Sequence, residues 1–72
     1  MGVQINQANT SMINEIMNNN YRIIEDGTFT KYVNNTFDII VKNNSSIIVI
    51  DKREPTTFYK DLRTAHTNII RI

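Results

Sequence analysis

Two aspartates, Asp38 and Asp51, bracket the near-palindromic stretch "DIIVKNNSSIIVID" and are the most suggestive acid pair in the chain. If Asn44-Ser45 turns this stretch into a hairpin, Lys42 pairs with Ile47, Val41 with Ile48, Ile40 with Val49 and Ile39 with Ile50. Asp38 then stands opposite Asp51 on one sheet face. Carboxylates so placed repel one another, and a shared proton or a divalent ion would relieve the repulsion. A divalent ion wants several further oxygen or imidazole ligands, and no ligand-rich loop supplies them. The pair therefore reads as solvated acids at the open end of a hairpin, with contact to a partner as their functional alternative.

The remaining chemistry-bearing residues are few. His66 is the single histidine, and a general base needs a nucleophile and an orienting group beside it. Ser11, Ser45 and Ser46 fall in a cap region and a turn, without nucleophile-elbow spacing. Gly2 and Gly27 are the only glycines, too few for a phosphate-cradling loop. There is no cysteine, hence no disulfide and no thiolate metal site. We expect no enzyme, no cofactor and no metal.

The elements that must position these residues form one domain, residues 1–72. A chain of this length buries only about 60% of its unfolded surface, which leaves a single core worth roughly 3–5 kcal/mol. The first twelve residues carry neither a basic start nor an apolar run, so no secretory signal is expected, and "MGVQIN" fits the myristoylation pattern only loosely. No apolar stretch is long enough to span a bilayer. A cytoplasmic location follows as the expectation. The formal charge is +1 with both signs interspersed, which argues against a strongly electrostatic nucleic-acid binder. Thirteen Ile and eleven Asn make up a third of the chain, a bias of AT-rich coding in phages and low-GC bacteria. The same bias accounts for the sequons at Asn9, Asn34, Asn43 and Asn44.

Ile5, Ala8, Met12, Ile13, Ile16 and Met17 share half of a helical wheel, which predicts a core helix. Asn9 or Thr10 suits a cap, and Asn18, Asn19 and Asn20 a stop. Asp26-Gly27 marks a two-residue type I′ turn. It pairs Glu25 with Thr28, Ile24 with Phe29, Arg22 with Lys31 and Tyr21 with Tyr32, the tyrosines and cations taking opposite faces. Asn34-Asn35 and Asn44-Ser45 supply the next turns. Phe58, Leu62, Ala65 and Ile69 line a second helix beginning near Pro55 or Thr56, with Tyr59 and His66 on its flank. Residues 68–72 suit either helix or strand. The fold expected is α+β: an N-terminal helix, a four-stranded antiparallel meander and a C-terminal helix.

The third hairpin is apolar on both sides. The expected register puts Phe37, Ile39, Val41, Ile48 and Ile50 on one face, and Ile40, Ile47 and Val49 on the other. Strands of this kind are normally covered on both faces. Each exposed Ile forgoes roughly 1.5–3 kcal/mol of burial. Either the two helices cover opposite faces, or one face or edge awaits a partner, the same chain or another.

The segment "MINEIMNNNYRIIEDG" resembles the first helix and strand of a family of small phage anti-CRISPR proteins that inhibit Cas9. "DIIVKNNSSIIVID" is similar to that family's later hairpin. Together the likeness covers about half the chain. It implies a stoichiometric inhibitor that fills a nuclease's DNA-binding groove with acids, here Glu25, Asp26, Asp38 and Asp51; Glu54 is added from its place just beyond the hairpin. Lys42, Lys52 and Arg53 depart from the family's strongly acidic character. The expectation is a non-catalytic inhibitor or adaptor that binds a protein partner such as a host defence nuclease. The alternative is a small dimeric nucleic-acid binder using Arg22, Lys31, Lys52, Arg53, Lys60 and Arg63.

Overall fold

Asn6 starts the first helix, α1 (Gln7–Met17). Its side chain accepts the Asn9 N–H at 2.8 Å, filling one of the helix's orphan donors. The cap thus lies upstream of the expected Asn9 or Thr10. Ile13, Ile16 and Met17, at the spacing of one helical face, are buried, while Ala8 at the outer turn is exposed. Asn18 and Asn19 take left-handed backbone angles, φ 56° and 55°, which asparagine tolerates better than most residues. The helix ends there, as the run of asparagines predicts.

The computed structural model describes residues 5–54 and 57–70. The expected helix start at Pro55 or Thr56 and the end of the 68–72 tail thus lie outside the described residues. After α1 come β1 (Arg22–Glu25), β2 (Thr30–Val33), β3 (Phe37–Asn43), β4 (Ser46–Asp51) and β5 (Phe58–Tyr59), then α2 (Leu62–Ile69). The strands form one antiparallel sheet in chain order. The α+β architecture of helix, meander and helix is as the sequence predicts, with one strand more. β5 takes Phe58 and Tyr59 out of the expected helix. α2 begins instead after Asp61, whose carboxylate accepts the Thr64 N–H at 2.7 Å and its hydroxyl at 2.9 Å.

Two registers differ from expectation. Between β1 and β2, Arg22 pairs with Val33, Ile23 with Tyr32, Ile24 with Lys31 and Glu25 with Thr30. Asp26–Phe29 forms a four-residue connection, because Gly27 alone takes positive φ, +53°, whereas a type I′ turn needs it at both central residues. The slip is two residues, so every side chain keeps its face. Tyr21 and Tyr32 still meet edge to face at 5.2 Å between centroids.

The β3–β4 correction has larger consequences. Asn44-Ser45 is the turn, closed by Asn43 opposite Ser46, but the register shifts between Val41 and Asn43. Lys42 is thereby an extra residue in β3, a bulge. Beyond it Val41 pairs with Ile47, Ile39 with Val49 and Phe37 with Asp51. A one-residue slip exchanges the two faces of a strand. Ile47 and Val49 therefore turn inward beside Phe37, Ile39 and Val41, and all five are buried. Ile48 and Ile50, expected there, point the other way with Ile40.

Both helices pack on one side of this sheet. Ile13, Ile16 and Met17 of α1, with Leu62 and Ala65 of α2, complete a core whose sheet half is those five residues. The Asn34 side chain ties a strand turn to this layer. It accepts the Thr36 and Phe37 N–H groups at 2.8 Å each and donates to the Asn20 carbonyl at 2.9 Å. Ile39→Ala should therefore cost about 2–5 kcal/mol, enough to unfold much of a marginal domain. Ile48→Ala should cost less than about 1 kcal/mol. Urea unfolding of the two variants checks this; equal losses would mean that the two faces are not distinct.

Candidate binding face

The face away from the helices is set by strand alternation. Arg22 and Ile24 of β1, Lys31 and Val33 of β2, Asp38 and Ile40 of β3, Ile48 and Ile50 of β4, and Phe58 of β5 stand in cross-strand register on it. Ile24 is 41%, Ile48 36% and Phe58 56% exposed. Ile40, Ile50 and Val33 are half-buried. Neither helix lies over this face, so of the two arrangements expected for an apolar-on-both-sides hairpin, opposite covering is not the one adopted.

Asp38 is the acid within this apolar field. The Lys52 ammonium lies 2.8 Å from its Oδ1, and Lys31 lies 3.8 Å from Oδ2. Lys52 also donates to the Asn34 carbonyl at 2.7 Å. The strands thus set one carboxylate between two cations, each about a third exposed. Such a cluster is screened by water and contributes modestly to stability, but it fixes a polar point on an otherwise aliphatic surface.

Asp51 is on the other side. It does not oppose Asp38; its cross-strand neighbour is Phe37, while Asp38 faces Ile50. The bulge at Lys42 is the cause, since it moves the two acids to opposite faces. Asp51 is 3% exposed. The Arg53 guanidinium donates to both its oxygens, Nε at 3.1 Å and a terminal nitrogen at 3.0 Å, and the Arg53 N–H adds a third bond at 2.9 Å. The guanidinium also stacks over the Phe37 ring at 4.9 Å from its centroid. Chiefly through the Arg53 side-chain bonds, the Asp51 carboxyl is held below the usual carboxylate range.

The other anticipated site residues are dispersed. Glu25 and Asp26 lie exposed at the β1–β2 connection. Glu54 is exposed beyond the opposite end of the sheet, where its carboxylate accepts the Thr57 hydroxyl at 3.3 Å. His66 on α2 lies 3.2 Å from the Glu15 carboxylate on α1, a bridge between helices. A shallow cleft of about 220 Å³ lies among Asn9, Met12, Asn44, Asp61 and Arg63. Asn9 there donates its side-chain amide to the Asn44 carbonyl and side-chain oxygen. Those bonds occupy its polar groups in joining α1 to the β3–β4 turn. No group of three metal-ligating side chains occurs among the described residues. Among them no helix is long and apolar enough to cross a membrane.

The open face differs from the expected one in two respects: Phe58 lies on a strand rather than a helix, and Ile40 shares a face with Ile48 and Ile50. A bulge in a strand apolar on both sides leaves no mark in polarity, so only the pairing reveals it. No family model, curated protein or solved structure matches the chain.

Because the folded Asp51 binds its proton less readily than the unfolded chain does, its contribution is complete above about pH 5 and is lost as pH falls through the depressed folded value. Asp51→Asn should therefore lower the urea midpoint at neutral pH, and the gap from the parent should narrow below about pH 4. A gap that stays constant with pH would show that the carboxylate charge contributes nothing.

Proposed function

We propose that this chain is a non-catalytic inhibitor or adaptor that docks a protein partner on the sheet face opposite its helices. The observation that carries this reading is the row of Ile40, Ile48 and Ile50 flanked by Ile24, Val33 and Phe58, all turned away from both helices. Ile40, Ile48, Ile50 and Phe58 adjoin one another on it, and an exposed apolar patch on so small a domain is the usual mark of a macromolecular contact. Charged residues around an apolar centre then orient the partner. The Asp38–Lys52–Lys31 cluster supplies such a point.

The acids support occupation of a DNA groove less well than they support this contact. Asp38 and Asp51 are already neutralised by adjoining cations, and Glu25 with Asp26 lies at the far end of the sheet from Glu54. A Cas9-type nuclease, suggested by the sequence resemblance, is accordingly a partner to test through the apolar face. Nucleic acid fits less well. Arg53 is committed to Asp51 and Arg63 borders a cleft on the helix side. On the face itself Lys31 and Lys52 are paired with Asp38, and Phe58 is its one aromatic side chain, whereas single strands are gripped by successive stacking platforms.

Ile48→Lys should leave stability within about 1 kcal/mol of the parent and weaken partner binding by about tenfold or more. Affinity capture from a low-GC bacterial lysate, with parent and variant in parallel, reads the difference. A DNA-cleavage assay with a Cas9-type nuclease tests that partner directly. A partner recovered equally by both proteins would overturn the assignment of this face.

A further inference from the structure

We propose that the chain also pairs with a second copy of itself along the outer edge of β1, joining two five-stranded sheets into a continuous ten-stranded one. This contact uses the sheet's edge and shares only Arg22 and Ile24, at the margin, with the docking face. The two edges of the sheet are unlike. β5 is only two residues long, a length that blunts pairing. β1 is four residues long and exposed at every one, with no Pro, Lys or bulge to discourage a partner strand.

The direction of its peptide groups follows from one bond. The Asp26 N–H donates to the Phe29 carbonyl at 3.0 Å, and in this register Asp26 stands opposite Phe29. Antiparallel pairs alternate between bonded and non-bonded. The bonded pairs are then Ile24 with Lys31 and Arg22 with Val33. The N–H and C=O groups of Ile23 and Glu25 consequently point off the edge.

A two-fold axis normal to the sheet is the symmetry that continues it antiparallel, and it keeps the helices of both copies on one side. Placing the axis at Ile24 sets each Ile23 against Glu25 of the second copy, where both peptide bonds are exchanged, four in all. Ile24 meets Ile24 of the second copy in a close non-bonded pair. Arg22 falls opposite Asp26 of the second copy, twice, with the opposed charges on the same face. Moving the axis to Ile23 would put Arg22 against Ile24 and forfeit that complementarity. Charge therefore selects the register, in which three of the four β1 residues, Ile23, Ile24 and Glu25, pair with β1 of the second copy.

Sedimentation velocity of the full chain over a dilution series should show a reversible dimer. Amide exchange should slow at Ile23 and Glu25 as concentration rises. Arg22 and Ile24, bonded within the chain, should be protected at every concentration. Arg22→Asp and Asp26→Arg should each weaken dimerisation about tenfold or more, and the double variant should restore it. Both positions are exposed, and the exchange pattern of the parent protein reads the interface without any substitution. A monomer at all concentrations would overturn the proposal. So would a double variant that stays monomeric, or a dimer broken by Ile48→Lys but indifferent to both charge reversals.

Discussion

The single inserted residue in β3 governs this molecule. Side chains alternate along a strand with a period of two, so an extra Lys42 reverses the facing of everything between it and the end of the β3–β4 pairing. With the bulge, Val41 and Ile47 share a face, as do Ile39 and Val49, and the two helices have one aliphatic surface to cover. Without it, the same residues would be divided between the two sides and neither would match the apolar stripes of α1 and α2. The open face is the remainder of that choice.

Polar residues close the layers. Asn6, Asn18 and Asn19 begin and end α1, and Asn34 draws the turn between β2 and β3 toward that helix's end. Asn9 and Asn44 hold its other end to the β3–β4 turn. The abundance of asparagine is thus used structurally at the places where backbone donors need an acceptor. At the far end of the sheet, the turn after β4 folds Arg53 back so that its guanidinium meets Asp51 and covers Phe37. The acid on the helix side thereby has both oxygens bonded by Arg53.

The class of the fold was legible because period 3.6 gives way to period 2 and returns, with turn residues at each change. Asn44-Ser45 lies where its chemistry puts it, while the turn expected at Asn34-Asn35 falls one residue later, on Asn35 and Thr36, with Asn34 bonded to Phe37. Boundaries were harder to see. Asp26-Gly27 carries the signature of a short hairpin, but Asp26 does not adopt the required backbone angles and the connection lengthens. Phe58 fits a helical stripe with Leu62 and Ala65, yet the nearby edge of β4 offers bonds to an extended chain, and tertiary pairing outweighs that pattern. The suspected acid pair failed for a geometric reason: one bulge separates Asp38 from Asp51 by the thickness of the sheet. The open face was visible only as an excess of aliphatic residues, since nothing in a doubly apolar strand says which half turns outward.

The strictly sequential strand order has a kinetic consequence. Neighbouring strands in the sheet are separated by at most six residues of chain, whereas Glu15 on α1 and His66 on α2 lie 51 residues apart. Joining such distant segments costs about 1–1.5 kcal/mol more chain entropy than closing a ten-residue loop, and contacts of large separation form slowly. The meander should hence assemble ahead of the helical layer. At that stage both of its aliphatic surfaces are wet, and arrival of the helices is the event that gives the molecule an inside and an outside.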